Sequence, residues 1–328
     1  MNLVLTTFGT YLHREGELFI IKIKTETQQI SSRKVRSIFI TTGASLSSDA
    51  IQLAVEKNID IVFLDKYGDP YGRVWHGKLG STTTIRRQQL RIAETEDGFQ
   101  LALSWMLRKV DNQVDFLVAA RKKRSALYEQ LSEQVDKLAE AREKLAALSG
   151  SLDEMRNRIF NLEAQAAQIY WKAVNLLLPE KYRFEKRSRR PATDEFNCLL
   201  NYAYGVLYSS VERACILAGL DPYVGFIHTD DYNKMSLVFD LIECYRVWAD
   251  ETVIGLFAGR KVKADMFHKL HNGLSLDKEG KTVLMKPFED FLEEKIRYSN
   301  RNIQRRETVQ FDCHQIANQL IEKSNETN

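Results

Sequence analysis

The chain is most easily read first through what it lacks. None of its 328 residues falls in an uninterrupted apolar run near the ~18 that a membrane-spanning helix needs, so no membrane partner is expected. The opening MNLVLTTFGTYL has neither a basic head nor a long apolar stretch and does not read as a secretory leader. Cysteine is scarce, and Cys198, Cys215, Cys244 and Cys313 form no C-x-x-C pair, which excludes a zinc ribbon. Four scattered thiols fit small core residues in a reducing, cytoplasmic compartment. No internal repeat or low-complexity tract is present. Nothing resembles a helix-turn-helix, a zinc finger or an RNA-recognition signature, so sequence-specific base reading is not indicated. Net charge is only +3, from 47 basic against 44 acidic residues. That balance says little by itself, because the charge is unevenly placed.

A hydrophobic content of 44% suits a chain that buries a real core, and the length allows two ordinary domains. The character changes near residue 85. Before it, β-type runs alternate with turns: Leu3 to Thr7, Leu18 to Ile23, Val35 to Thr41, Ile59 to Asp65 and Tyr71 to Trp75. One helix interrupts them, capped by Ser47 or Ser48 and carrying Ile51, Leu53, Ala54 and Val55. Gly80, Ser81 and the threonines that follow read as a linker. After residue 85 the pattern is helical almost to the end, with a polar tail after Lys323 that should fray. The expectation is an α+β protein, with a small β-rich domain at 1–84 and a larger all-α domain at 85–328. A short heptad trace places Tyr128, Val135 and Arg142 on one seam and Leu131, Leu138 and Leu145 on the other. Arg142 breaks the seam, so a helix packed in its own domain is favoured over a free coiled coil. Ser149 and Gly150 end that helix, and Ser151 with Glu154 forms a capping box for the next.

Several residues carry possible chemistry. His228 follows a tight connection, GLDPYVGFI, and precedes Asp240 and Glu243. If Ser236 to Trp248 is one helix, those two carboxylates share a face. A histidine and two carboxylates converging on a point can hold a hard divalent cation. The plainer alternatives are a structural histidine, and a solvated acidic pair or a salt bridge from Glu243 to Arg246. Asp230 and Asp231 read more readily as turn or N-cap residues. Glu163 borders the stripe Met155, Ile159, Leu162, Ala166 and Ile169, beside Ala166, Ala167 and Tyr170; periodicity alone reads it as a surface glutamate.

Three basic clusters point to a polyanion. KYRFEKRSRR supplies Lys181, Arg183, Lys186, Arg187, Arg189 and Arg190 around Tyr182 and Phe184. Arg121, Lys122, Lys123 and Arg124 lie in a row on what should be a helix. Lys295, Arg297, Arg301, Arg305 and Arg306 recur along what reads as another helix, with Tyr298 among them. Any one cluster is ordinarily a solvated face; three in one nearly neutral chain favour nucleic acid.

With these segments in view, the chain resembles the CRISPR-associated endonuclease and integrase family, Cas one, over nearly its whole length. The resemblance rests on GTYLHREGELFI and SLSSDAIQLAVEKNIDIVFLDKYGDPYGRV in the first part. In the second it rests on Lys109, Gln113, EAQAAQIYW, RPATDEFNCLLNYAY, GLDPYVGFIH and SLVFDLIECYR. It implies a homodimeric, Mg²⁺- or Mn²⁺-dependent enzyme that joins short double-stranded DNA into a repeat array. The β domain would serve dimerisation, and a small CRISPR-associated partner, Cas two, would bridge two dimers. It also implies Glu163, His228 and Glu243 as metal ligands, with Asp240 a further acidic position beside them. The 3′-hydroxyl of a DNA fragment would attack a phosphodiester directly, which suits a chain with no nucleophile motif. Two alternatives stay open: a structure-selective repair nuclease using the same residues, and a non-enzymatic dimeric DNA-binding scaffold.

Overall fold

A computed structural model describes residues 1–57, 59–65, 70–74, 82–228 and 234–326. The linker residues Gly80 and Ser81, the aspartates Asp230 and Asp231, and Trp75 lie outside them. The chain forms two compact units, Met1–Gly80 and Ser81–Asn328.

The first unit holds two four-stranded sheets. One has the order β1 (Asn2–Leu5), β5 (Ser37–Ile40), β7 (Asp60–Leu64), β8 (Pro70–Val74), parallel except for the last pair. The other runs β4 (Glu26–Ser31), β3 (Leu18–Ile23), β2 (Thr10–Glu15), β6 (Ala44–Leu46). Strand alternation explains the core. Leu3, Leu5, Ile38, Ile40 and Ile61 share one cluster with Leu12, Phe19 and Ile21 of the second sheet. Phe39, Val62 and Leu64 form a separate buried group. Helix α1 (Ser48–Glu56) starts where Ser47 accepts a hydrogen bond from the Ala50 amide, and buries Ala50, Leu53 and Ala54. The strands β2, β4 and β6 have no counterpart among the apolar runs. Their residues TYLHRE, ETQQIS and ASL are too polar to announce a strand; β2 and β4 pair on either side of the buried β3, and β6 adds to the outer edge of β2.

The second unit is helical, with two hairpins. Its long helices are α2 (Thr82–Ile92), α3 (Glu96–Lys122), α4 (Tyr128–Ala146), α5 (Leu152–Leu177) and α6 (Glu195–Leu217). Then come α7 (Ser236–Ile242), α8 (Arg246–Ala258), β9 (Phe267–Leu270), β10 (Gly273–Leu276), α9 (Lys278–Glu293), β11 (Lys295–Tyr298), β12 (Arg301–Gln304) and α10 (Glu307–Glu326). Thr82–Thr84 open α2 rather than extending the linker, and α10 continues past Lys323. Helix α4 packs against α3 and α5 through Leu131, Leu138 and Leu145, all fully buried; Tyr128 is exposed and Arg142 reaches Asp111 of α3 at 2.8 Å. The capping box of Ser151 and Glu154 is formed. Helix α6 is buried along most of its length, from Phe196 to Cys215, and touches α7, α8, α9 and α10.

Two expectations fail here, for identifiable reasons. The basic run near the C-terminus forms the β11–β12 hairpin, not a helix. Ser299 and Asn300 both take positive φ (45° and 61°), the backbone of a tight two-residue hairpin turn, and Ile296 pairs with Ile303 across it. The helical spacing of the charges is incidental to that turn. The stretch from Ser236 to Trp248 is likewise not one helix. It breaks after Ile242 into a turn at Glu243–Tyr245, closed by bonds from Cys244 N to Leu241 O and Tyr245 N to Ile242 O.

Candidate functional site

Helix α3 supplies the floor. Its buried face carries Trp105, Met106, Val110 and Leu117, but also Lys109 and Gln113 at the same helical spacing. A lysine on a buried face requires a charge partner. Lys109 has two. Its ammonium contacts the Glu163 carboxylate from α5, and lies 2.6 Å from Glu243 Oε2 in the turn after α7. Glu163 from α5 and Glu243 from the turn after α7 thus meet around one cation. The break after Ile242 is what aims Glu243 there. Asn112 Nδ2 donates to Cys244 O at 2.7 Å and pins the turn to α3.

Glu243 is 8% exposed, and Arg246 closes its other side at 2.9 Å from Oε1. Burial by itself would raise the Glu243 carboxyl, but Arg246 and then Lys109 outweigh it and hold the group down at about 2. Burial opposes the Lys109 charge in the same way, and Glu243 and then Glu163 overcome it, so its pKa is raised. The salt bridge to Arg246 is therefore present, and the same carboxylate also shares Lys109 with Glu163.

His228 and Asp240 form a second half of the site. Asp240 is fully buried in α7. Its carboxylate accepts from the amides of Phe226 (2.7 Å), Ile227 (3.2 Å) and His228 (3.0 Å), and meets His228 Nδ1 at 2.6 Å. Because a carboxylate accepts, Nδ1 carries a proton in this contact, and Nε2 is the ring nitrogen that Asp240 does not engage. The loop is tight. A side chain on Gly225 would approach His228 O and Ser236 Cβ to 2.5 Å, so only glycine lets the chain turn into Asp240. Arg156 of α5 donates to Phe226 O at 3.3 Å, and Trp105 packs edge-on against Phe226. The imidazole stands between the rings of Phe160 and Phe239.

The four residues thus fall into two pairs, Glu163 with Glu243 and His228 with Asp240. Among the described residues no three side chains of ligand type already surround a common point. The donor set nonetheless fits a hard divalent cation. Two carboxylates share one positive charge, and an imidazole is oriented by its carboxylate brace through Nδ1, leaving the other ring nitrogen to a ligand role. Gln113 Oε1 is buried and has no hydrogen-bond partner among the described residues.

Behind this pocket lies a network that sequence reasoning missed. Asp250 of α8, 1% exposed, accepts from Tyr170 (2.8 Å) and Tyr204 (2.5 Å). Arg246 and Arg187 stack on the Tyr204 ring, and Arg187 also on Trp171. Burial raises the Asp250 carboxyl to about 6 against the tyrosine hydrogen bonds and the nearby Arg187 and Arg246. Asp312 of α10 similarly gathers Arg108, Tyr245 and Tyr298, each at 2.6 Å. The available signal for Lys109 was a lysine on an otherwise apolar helix face; the aspartates gave none.

The basic clusters divide. Lys122, Lys123 and Arg124 at the end of α3 are exposed, as are Lys181, Arg183, Lys186, Arg189, Arg190, Arg297 and Arg301. Arg121 reaches Ser132 at 3.2 Å. Arg187 turns inward to Asn201 at 2.9 Å, and Arg305 to Glu294 at 2.5 Å, so these two brace the protein itself.

Comparison with known proteins matches residues 3–290 to the family model described as CRISPR associated protein Cas1. A CRISPR-associated endonuclease Cas1 of Archaeoglobus fulgidus is 32% identical over 316 residues, covering 92% of this chain and 91% of that protein. The one of Thermotoga maritima is 25% identical over 325 residues, covering 98% and 97%. Among solved structures, a Cas1 protein from Thermotoga maritima aligns with a TM-score of 0.82 at 22% identity, covering 98% of this chain and 97% of that one. A casposase bound to integration product aligns with a TM-score of 0.82 at 22% identity, covering 98% and 91%. A Cas6-RT-Cas1–Cas2 complex aligns at 0.79 and 22%, covering 98% of this chain and 35% of the other. At these identities the structures show a shared fold.

Proposed function

The chain belongs to the Cas1 family of CRISPR-associated proteins, and from that footing we propose a metal-dependent DNA endonuclease and integrase that joins short duplex fragments into a repeat array. The observation that carries this reading is the meeting of Glu163 from α5 and Glu243 from the turn after α7 on one cation, with His228 held on Asp240 through Nδ1.

Glu163, Glu243 and His228 Nε2 would hold Mg²⁺ or Mn²⁺. When bound, the ion polarises a phosphoryl oxygen and offsets the negative charge that builds on it. The chain's own residues set the rest. Arg246 keeps Glu243 anionic and fixes its rotamer. Asp240 engages His228 through Nδ1, which leaves Nε2 as the nitrogen that would face an ion. In joining, the 3′-hydroxyl of the incoming strand attacks a target phosphodiester and displaces another 3′-hydroxyl, so one phosphodiester forms as one breaks. Water in place of the hydroxyl yields cleavage.

The exposed cations of the α3 end, of 181–190 and of the β11–β12 hairpin support double-stranded DNA as the partner. A homodimer through the first unit is supported by its exposed apolar side chains, Phe8 (82% exposed) and Tyr71 (72% exposed) above all. The Cas1–Cas2 complex among the structural neighbours supports Cas2 as a bridging partner. No helix among the described residues is long and apolar enough to cross a membrane.

The test is a strand-transfer assay with a short duplex bearing 3′-hydroxyls, a supercoiled repeat plasmid, Mn²⁺ or Mg²⁺, and Cas2. Joined products with wild type, lost with chelator or in Glu243→Gln, are expected. Cleavage without any joining across target plasmids would instead indicate a repair nuclease. Full activity in Glu163→Gln and Glu243→Gln would remove these carboxylates from the chemistry.

A further inference from the structure

The Lys109 ammonium occupies the point at which the two proposed ligand carboxylates converge. It is contributed by a third helix and is nine-tenths buried. A buried cation is costly to desolvate, and an apolar residue facing a pair of solvated carboxylates would avoid that cost. The lysine does, however, keep two carboxylates at close range without a metal. Their mutual repulsion would otherwise drive one of them to take a proton or swing away.

Glu243 Oε2 lies 2.6 Å from Nζ. One turn further along α3, on the same face, Gln113 is 6% exposed and its buried Oε1 has no partner. An ammonium that left the carboxylates would find a vacant acceptor there, one helical turn away.

We propose that Lys109 is a built-in, displaceable counter-ion: it holds Glu163 and Glu243 together in the metal-free protein and is expelled toward Gln113 when a divalent cation binds. The inference rests on the reading of Glu163 and Glu243 as metal ligands. Lys109 is then a positioning residue. It keeps the ligands converged for metal entry, and every metal-binding event must first open the lysine contact. The apparent affinity for the metal is lowered by the fraction of molecules in which that contact is closed.

The experiment is Mn²⁺ titration by calorimetry on the full chain without DNA, comparing wild type, Lys109→Met, Lys109→Arg and Glu243→Gln. Lys109→Met is expected to bind Mn²⁺ at least about tenfold more tightly than wild type, and Lys109→Arg no more tightly than wild type. Equal or weaker binding by Lys109→Met, with binding still lost in Glu243→Gln, overturns the displacement and leaves the ligand assignment standing. Mn²⁺ binding indifferent to Glu243→Gln overturns the ligand assignment itself, and this proposal with it. Removing a buried cation can impair folding, so a wild-type measurement runs alongside. The Lys109 side-chain ¹⁵Nζ resonance should be protected in the metal-free protein and should shift on saturation with Mg²⁺. An unmoved resonance at saturation contradicts the proposal without any variant.

Discussion

Glu243 and Asp250 are both buried, lie on the same short stretch of chain, and are driven in opposite directions. Glu243 sits between Arg246 and Lys109, and its carboxyl is held at about 2. Asp250 receives two tyrosine hydroxyls, with Arg187 and Arg246 nearby, and burial still raises it to about 6. Charge partners in contact outweigh desolvation, whereas neutral hydroxyl donors do not. The difference marks two kinds of buried acid. The first is kept anionic and facing a cation, as a metal ligand must be. The second ties α5, α6 and α8 together behind it and holds up the Tyr204 ring on which Arg246 rests.

The comparison can be broken most sharply at Glu243. Glu243→Gln should lower joining by at least about 1000-fold, the scale of losing several kcal/mol of transition-state stabilisation from the ion's site, with the fold retained by circular dichroism. Strand-transfer rates at saturating Mn²⁺ check it. A smaller loss is expected one step away from the ligands. Asp240→Asn should cost about 10–100-fold, because an amide offers one acceptor oxygen where the carboxylate offers two, and its NH2 must face either the Phe226 and Ile227 amides or the His228 donors. The ¹⁵N shifts of the His228 ring report the tautomer change independently of activity.

Asp250→Asn should leave catalytic losses modest and change the pH dependence of stability instead. The folded protein holds the Asp250 proton more tightly than the unfolded chain, whose carboxyl titrates near 3.8. Stability contributed by this group is therefore present below about pH 4, falls as pH rises toward 6, and is level above. In Asp250→Asn that fall should disappear, as measured by urea midpoints between pH 4 and 7. The smallest effects belong to the exposed hairpin cations. Arg297→Ala and Arg301→Ala should each reduce the slope of log affinity for DNA against log salt by about 1, without altering Mn²⁺ binding.

Much of this architecture was legible in the residues, and the rest was hidden for specific reasons. Leu18–Ile23, the Ser47 cap, the Ser151–Glu154 box and the buried Leu131, Leu138 and Leu145 follow from local pattern, which reports what a segment does within one or two turns. The polar strands β2 and β4 do not, because they owe their state to β3 between them. The hairpin at Lys295–Gln304 was concealed by charges at helical spacing, and only Ser299 and Asn300 hinted at a turn. Glu163 looked like a surface residue by periodicity. It became a site residue through resemblance, and the structure adds Lys109 as its partner. That pairing spans 54 residues of chain, and no local period reaches so far.

Whether Glu163, Glu243 and His228 hold one divalent cation is decided by a crystal of the wild-type protein soaked in Mn²⁺, through the anomalous difference map. A single strong peak is expected, coordinated by the Glu163 and Glu243 carboxylates and by His228 Nε2, with Lys109 withdrawn. A peak bound elsewhere in a crystal whose protein is active with Mn²⁺, and none between these three residues, would contradict that expectation.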